Sequence, residues 1–445
     1  MRKSIIVAFA LFTSVFQAQD VKELTLKDAL QYAIENKSDA KKAKLEVENS
    51  KYKIAEVRAM ALPQINLSGG LTYNPILQES ALPGEFFGQP GQVILVPFGQ
   101  DWNSNAVMSF SQNLFNQQVF TGLKAAKSTR EFYQINQLLT EEQLIEKVSS
   151  SYYQVYVYQQ KLKIAESNLE STNKVKNIID GQFKNGLARK IDLDRISVKV
   201  SNLEAAKQQL INAVQLQENT LKFFIGMPIE QAIKLPENTM EVTAVVFEKN
   251  TDVSNRTEMA LLKKQETLLG YQKKAFQSEY YPTLSLNANY GYQGLGKEFP
   301  WLAKPSDGVY WSDFSSIGLS LRIPLFNGFS TSSKVHQANI SLEKIAVDIN
   351  DAKLALNYQF ENAKTQINNS VINLNTQEQN MKLAKEVLEN TQNNYINGLA
   401  SLTELLDAEN ALTESQNNYT ASQLEYKLAE IQIIKSKGEL QTLLN

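Results

Sequence analysis

The sequence Phe-Lys-Asn-Gly-Leu-Ala-Arg-Lys-Ile-Asp-Leu at residues 183–193 has a counterpart, Tyr-Ile-Asn-Gly-Leu-Ala-Ser-Leu-Thr-Glu-Leu, at residues 395–405. The two stretches lie 212 residues apart, and each stands between two long segments of helical pattern. Asn-Gly ends a helix well, because Gly adopts the left-handed conformation at little cost. The acid six residues after each Gly, Asp192 or Glu404, then falls in the first turn of the next helix, where the helix dipole favours negative charge. Each stretch therefore predicts the turn of a long helical hairpin.

The segments around these turns predict unusually long helices. Helical pattern runs over residues 114–184 and 191–225, on either side of the first turn. A helical segment about as long as the first leads to the second turn, and another follows it over residues 402–440. About 70 helical residues at about 1.5 Å each would extend roughly 105 Å. The apolar stripe is narrow, as in a coiled coil, and residues 361–380 are rich in Asn and Gln. The wide polar surface is either simply solvated or lines a water-filled conduit.

Four segments in which polar and apolar residues alternate predict β-strands. The alternation is strict in the first segment and weaker in the second, where Val107 interrupts the polar face. About ten residues is the length of a strand that spans a membrane. The strands are predicted at residues 65–73, 105–111, 284–292 and 317–323, with Gly- and Pro-rich loops at 74–101 and 293–314.

The two halves of the chain follow the same plan of helix, strand, loop, strand, long helix, turn and helix. Leu-Pro at 62–63 has a counterpart in Tyr-Pro at 281–282, and Leu-Phe-Asn occurs at both 114–116 and 325–327. We therefore expect a duplicated half-molecule of mainly α structure with a small membrane β part. The expected domains are a first repeat at 20–226, a linker at 227–254 and a second repeat at 255–445.

The N-terminus has the pattern of a secretory signal peptide at residues 1–19. Arg2 and Lys3 precede an apolar run from Ile5 to Phe16, and Gln17-Ala-Gln19 resembles a small-residue cleavage site. The run is too short to anchor the chain across a bilayer of about 30 Å. The first helix of the exported chain is predicted at residues 24–61, with Thr25 as its N-cap.

Composition excludes several functional classes. The chain contains no Cys, which rules out disulfides, thiolate metal sites and lipid attachment at a new N-terminus. Its formal net charge of −2 comes from interspersed acids and bases, which argues against a nucleic-acid surface. The single histidine, His336, excludes paired-His metal sites, and no nucleophile elbow accompanies it. We therefore expect no enzyme activity, no cofactor and no metal site.

Four spanning strands cannot remain open in a bilayer, because each unpaired edge group would cost several kcal/mol in hydrocarbon. Four strands also cannot close alone, since the smallest membrane barrels have about eight. Several chains must then pool their strands, and ring symmetry is the natural arrangement. The alternative is a soluble sandwich. Aromatic residues near the strand ends favour the membrane: Tyr73, Trp102, Tyr290 and Tyr292.

On these motifs the chain resembles the outer-membrane efflux protein family, the TolC-like trimeric channel-tunnels of Gram-negative bacteria. The resemblance runs from about Leu24 to the C-terminus. It implies a homotrimer with a 12-strand β-barrel in the outer-membrane lipid and a periplasmic α-helical barrel. It also implies two further partners, a periplasmic adaptor protein and an inner-membrane efflux pump or ABC exporter.

The resemblance also implies roles for residues at the two turns. Those that match adaptor-docking tips are Asn185, Gly186, Leu187, Ala188, Asn397, Gly398, Leu399 and Ala400. Those that match the periplasmic gate and constriction are Asp192, Tyr395, Glu404 and Asp407. Ala400 stands where the family prototype carries a latching Arg, and Glu404 replaces an Asp. Each residue also has a purely structural interpretation, as a first-turn acid, a packed aromatic or a turn glycine.

Three functions are compatible with the sequence. The first is a passive exit duct that conducts small molecules from a pump and adaptor to the outside. The second is the same channel in a type I protein secretion system. The third, from another class, is a periplasmic coiled-coil scaffold without a pore.

Overall fold

The computed structural model of the protein describes residues 23–237, 240 and 252–444. The predicted signal peptide at residues 1–19 lies outside the described residues, as does part of the predicted linker. The described chain is mainly helical with a few strands, which confirms the predicted class. The helices are α1 (Leu26–Asn36), α2 (Ser38–Ala59), α3 (Gln117–Lys184), α4 (Lys190–Ile225), α5 (Thr257–Gln277), α6 (Ser330–Ile396) and α7 (Leu402–Lys437). The strands are β1 (Gln64–Tyr73), β2 (Glu79–Pro83), β3 (Val93–Pro97), β4 (Trp102–Phe115), β5 (Thr283–Gly296) and β6 (Val309–Arg322).

The helices on either side of the two turns match in length. Helix α3 has 68 residues and α6 has 67, while α4 and α7 have 36 each. The chain forms two compact units, and each takes segments from both halves of the sequence. The helical unit comprises residues up to Lys42, Leu138–Arg256 and Leu354 onward, and the sheet unit comprises Ala43–Gln137 and Thr257–Lys353. The boundaries of the two sequence repeats stay a prediction.

The helical unit has a core where α1, α3, α4 and α7 meet. Leu30, Ile145, Leu221 and Ile431 are buried there. Tyr152 is also fully buried, and its hydroxyl donates a hydrogen bond to the Leu24 carbonyl at 2.9 Å. A buried tyrosine hydroxyl needs such a partner, and this one ties the start of the described chain to α3.

The predicted helix at 24–61 is divided into α1 and α2 by Lys37, which has extended backbone angles of φ −65° and ψ 134°. The Lys37 ammonium donates to the Phe223 carbonyl at 2.7 Å and lies 3.6 Å from the centre of the Phe223 ring. Because this contact is made by a residue far along the chain, the local pattern does not reveal the break. The predicted Thr25 cap is confirmed, with a capping box to Asp28.

The sheet unit contains an antiparallel sheet in the order β1-β4-β5-β6. Its register sorts the side chains by polarity, as the alternation predicts. One row of neighbours on the first face is Ile65, Phe110, Ala288 and Ile317. The adjacent row on the opposite face is Asn66, Ser109, Asn289 and Ser316. We call these the apolar face and the polar face. Strands β1 and β6 form the two edges of the sheet.

The strands extend beyond their predicted limits, because glycines pair with aromatic residues across the sheet. Strand β6 begins at Val309, eight residues before the prediction. A Cβ at Gly291 would lie 2.3 Å from the Phe314 ring, and one at Gly294 would lie 2.6 Å from the Trp311 ring. The rings therefore cover the glycine backbone, and a Gly- and Trp-rich segment that predicts a loop forms strand instead.

The loop predicted at 74–101 contains a two-stranded hairpin of β2 and β3. Its second strand has the sequence Val-Ile-Leu-Val-Pro, which is rich in β-branched residues. The surrounding Gly and Pro obscure that signal. Among the described residues, no helix has the length and hydropathy needed to cross a membrane.

Candidate functional site

The first turn joins α3 to α4 through the predicted Asn-Gly step. Gly186 has φ 77°, and the Leu187 N–H donates to the Gln182 carbonyl at 2.8 Å. The Asn185 side chain donates to the Gly181 carbonyl at 2.7 Å. The chain thus satisfies carbonyls that the end of α3 would otherwise leave without partners.

The second turn joins α6 to α7 with the same geometry. Gly398 has φ 70°, and the Leu399 N–H donates to the Asn394 carbonyl at 2.8 Å. The Asn397 side chain donates to the Asn393 carbonyl at 2.8 Å. The two helical hairpins predicted from the repeated stretch are confirmed.

The tips of the turns present leucines to solvent. Leu187 is 80% exposed and Leu399 is 78% exposed, while Ala188 and Ala400 are half-buried. These leucines follow the turn glycines directly and contribute little to the packing of their own chain. Each of the two equivalent turns therefore carries one exposed leucine at its tip.

Asp192 is held by a residue that the sequence comparison with the family did not single out. Arg189 donates to both carboxylate oxygens, from Nε at 2.9 Å and from a terminal nitrogen at 3.1 Å. This hydrogen-bonded guanidinium lowers the pKa of the Asp192 carboxyl below its ordinary value. The signal was available in the sequence, since Arg and Asp stand three residues apart at a helix start.

Tyr395 lies close enough to Asp192 for the two side chains to interact electrostatically. The side-chain hydrogen bonds to the Asp192 carboxylate come from Arg189. Burial raises the pKa of Tyr395, and the nearby charge of Asp192 raises it further. The ring packs against the apolar cluster of the turns together with Ala188 and Leu193. The structure therefore brings Tyr395 and Asp192 together and adds Arg189 as the partner of the Asp192 carboxylate.

Glu404 caps α7. The Ser401 N–H and hydroxyl donate to Glu404 Oε2 at 2.7 and 3.0 Å, and the Glu404 N–H donates to the Ser401 hydroxyl at 3.3 Å. These bonds, the backbone bond first, lower the pKa of the Glu404 carboxyl. The Ser-x-x-Glu spacing of this capping box could have been recognised in the sequence.

Three acids share one exposed side of α7. Glu404, Asp407 and Glu414 are all exposed, and their spacing of three and seven residues places them on one helical face. Leu405 and Leu412 occupy the opposite, buried side. The helix thus presents a negative stripe that begins at the turn, and the family motif did not include its last member, Glu414.

An apolar cluster fixes the two hairpins to each other just inside the turns. Ile179 of α3, Ile196 of α4 and Leu405 of α7 are essentially fully buried there. At its edge, a terminal nitrogen of Arg195 donates to the Thr403 hydroxyl at 3.1 Å. The four helices therefore form one packed end, and the turns are its outermost residues.

A polar layer follows the cluster along the helices. Glu409 of α7 accepts a hydrogen bond from Thr172 of α3 at 3.4 Å, and the Asn168 side chain donates to the Thr413 hydroxyl at 3.0 Å. Burial raises the pKa of the Glu409 carboxyl, although the charge of Lys199 opposes this. Neither the helical pattern nor the family motif pointed to Glu409, because its burial arises only where the hairpins pack.

His336 is exposed on α6. Over residues 23–237, 240 and 252–444, no three His, Asp or Glu side chains are grouped in a way that could hold a metal ion.

Comparisons with known proteins agree with the motifs of the two halves. The family described as "Outer membrane efflux protein" matches residues 29–227 and 253–439. The chain is 23% identical to outer membrane protein TolC of Vibrio cholerae over 393 residues, which cover 87% of this chain and 84% of that protein. It is 21% identical to the alkaline protease secretion protein AprF of Pseudomonas aeruginosa, with coverage of 96% and 87%.

The fold is similar to that of a solved outer membrane protein, VceC of Vibrio cholerae. The TM-score is 0.71 at 17% identity, and the match covers 93% of this chain and 96% of the other.

Proposed function

Because this chain belongs to the outer membrane efflux protein family, we propose that three copies of it assemble into one continuous exit duct. The family consists of passive channels rather than enzymes. The chain is accordingly an outer-membrane exit duct of an efflux or secretion system.

The observation that carries the proposal is the sorting of side chains in the four-stranded sheet. Its apolar face carries exposed side chains, with Ile317 and Leu319 as examples. Its edges, β1 and β6, have one neighbour each in the sheet order. Pairing β1 of one copy with β6 of the next would close three sheets into a 12-strand barrel and satisfy every edge. Strands β5 and β6, with 14 residues each, exceed the 9 to 11 that a membrane requires.

The polar faces of the three sheets would then line water, and the helices would continue the conduit through the periplasm. We assign the turns as the docking tips for a periplasmic adaptor, which links the duct to an inner-membrane pump or ABC exporter. The exposure of Leu187 and Leu399 supports this assignment. If the turns of the three copies close around one axis, each acid on α7 would also lie near its counterparts in the other two copies.

We assign the periplasmic gate to Asp192, Tyr395, Glu404 and Asp407. In a trimer, the exposed side of α7 would place rings of Glu404 and Asp407 at the entrance, where they would favour cations. Arg189 would hold Asp192 in position beside Tyr395. The gate in this chain would thus depend on an arginine at 189, since position 400 carries Ala.

The cargo is proposed to be small molecules delivered by a pump. Protein secretion is a second candidate, because the similarity to the alkaline protease secretion protein covers 96% of the chain. The third hypothesis, a scaffold without a pore, is not retained for a member of a channel family.

Two neighbouring residues of β6 offer a matched test. Ile317→Lys places a charge on the apolar face, where a lysine at the bilayer midplane costs about 2–4 kcal/mol. Ser316→Lys places the same charge on the polar face, toward the proposed conduit. In planar bilayers, the parent protein is expected to give discrete conductance steps.

Ser316→Lys should insert and shift ion selectivity toward anions, whereas Ile317→Lys should insert poorly. Equal insertion of both variants would contradict the proposed orientation of the sheet. A trimer that enters the bilayer but gives no conductance steps would contradict the duct itself.

A further inference from the structure

The connection between β5 and β6 folds back over the apolar face of the sheet. The indole N–H of Trp301, in this connection, donates to the Ser104 hydroxyl at 2.9 Å. Ser104 pairs with Leu71 across the β1–β4 ladder and therefore belongs to the apolar face. Ser104 is only 4% exposed, because the connection covers it.

A chain of ring contacts holds the connection in place. Trp102 lies 4.6 Å from Tyr73 and 5.2 Å from Phe299, measured between ring centres, and Phe299 lies 5.6 Å from Trp301. The intervening Pro300 is buried. The ring contacts that begin in β1 and β4 therefore extend into the β5–β6 connection.

The outer surface of this cluster is apolar and uncommonly open. Trp301 is 63% exposed and Leu302 is 87% exposed. Trp301 lies on the same side of the sheet as Leu71 and Tyr73, because its N–H bonds Ser104 there, and both of those side chains are exposed as well. In an outer-membrane protein this face is the one that meets lipid, so the surface is continuous with the hydrocarbon-facing side of the strands.

We propose that the β5–β6 connection is a lipid anchor, with Trp301 and Leu302 inserted at the boundary between headgroups and acyl chains of the outer leaflet. The inference rests on the proposed barrel. Tryptophan favours this boundary because its ring is apolar while its N–H requires a partner. Here Ser104 is that partner, and the bond also satisfies a hydroxyl that would otherwise be costly on a lipid-facing surface. The anchor sets the depth of the sheet in the bilayer.

The three tryptophans of the chain allow a direct test by fluorescence. One variant, Trp102→Phe with Trp311→Phe, retains only Trp301. A matched variant, Trp102→Phe with Trp301→Phe, retains only Trp311, which lies on the apolar face of β6. Both variants are checked for trimers and reconstituted into vesicles of phospholipid brominated near the headgroup, into unbrominated vesicles, and into unbrominated vesicles with iodide added.

We expect brominated lipid to reduce the emission of Trp301 at least as much as that of Trp311, while iodide has little effect on either. If lipid quenches Trp311 but only iodide quenches Trp301, the loop lies in water and the anchor is overturned, although the barrel stands. If lipid quenches neither tryptophan, the proposed barrel orientation fails, and the anchor fails with it.

Discussion

Replacing Leu399 by Ser is expected to weaken adaptor docking without loosening the fold of the chain. The side chain is 78% exposed, so its removal leaves no buried cavity. Burying a whole leucine is worth about 1.5–3 kcal/mol. Scaled to the 78% that a partner could still cover, this is about 1.2–2.3 kcal/mol. The loss corresponds to roughly 7- to 50-fold in affinity at each docking site.

The assay combines dye accumulation in cells that carry only the variant with co-purification of the adaptor with the tagged trimer. Leu383→Ser is the matched control, because Leu383 is also exposed on α6 but lies 16 residues before the turn. We expect Leu399→Ser to remain trimeric, to retain less adaptor and to let dye accumulate, while Leu383→Ser behaves as the parent. A trimeric Leu399→Ser that retains the adaptor normally would remove this turn from the docking surface.

Three further predictions concern the gate and the helix interface. Asp407→Asn should reduce cation preference in planar bilayers, because each copy loses one charge from the proposed ring; unchanged selectivity would place Asp407 outside the constriction. Tyr395→Phe should leave resting conductance unchanged, because Arg189 rather than the tyrosine hydroxyl binds the Asp192 carboxylate; a clear rise in conductance would show that the hydroxyl helps hold the gate closed. Glu409→Gln should raise the melting temperature at neutral pH, because burial raises the pKa of Glu409 above its ordinary 4.5 and ionisation therefore opposes folding. The stability that the protonated Glu409 carboxyl contributes is fully present below a pH of about 4.5 and is lost as the pH rises through the raised pKa of the folded protein. The melting temperatures of the parent and of Glu409→Gln should therefore converge in acid. A difference that stays constant with pH would contradict this account.

The helical hairpins were predictable because their signals are local. Asn-Gly at each turn, and the acid that follows, determine where one helix stops and the next begins. Gly186 and Gly398 adopt the left-handed conformation that this interpretation requires. The break at Lys37 was not predicted, and the contact that the Lys37 side chain makes there is with the carbonyl and ring of Phe223, 186 residues away.

The strands were predictable as elements but not at their ends. Alternation identified all four strands of the main sheet, because each separates an apolar face from a polar one. It failed at Gly294, which lies in the predicted loop but belongs to β5, where the Trp311 ring of β6 covers it. An aromatic ring that packs over a glycine of the neighbouring strand can be identified only once the strand register is known.

Of the candidate site, the turn positions were accessible from the sequence, while the contacts among them were not. The motifs identified Asp192 and Glu404, and the structure adds the partners Arg189 and Ser401. Both partners stand three residues before their acid, so helix-start chemistry could have named them. Glu409 carries no such local signal, because its burial results from the packing of α3 against α7.

The central claim, that three chains pool their strands and hairpins into one duct, is tested most directly by electron microscopy of the purified protein in lipid nanodiscs. We predict a three-fold particle in which twelve strands close around one axis and the helical turns lie at the end remote from the lipid. A monomeric particle, or a ring with another number of copies, would contradict the account.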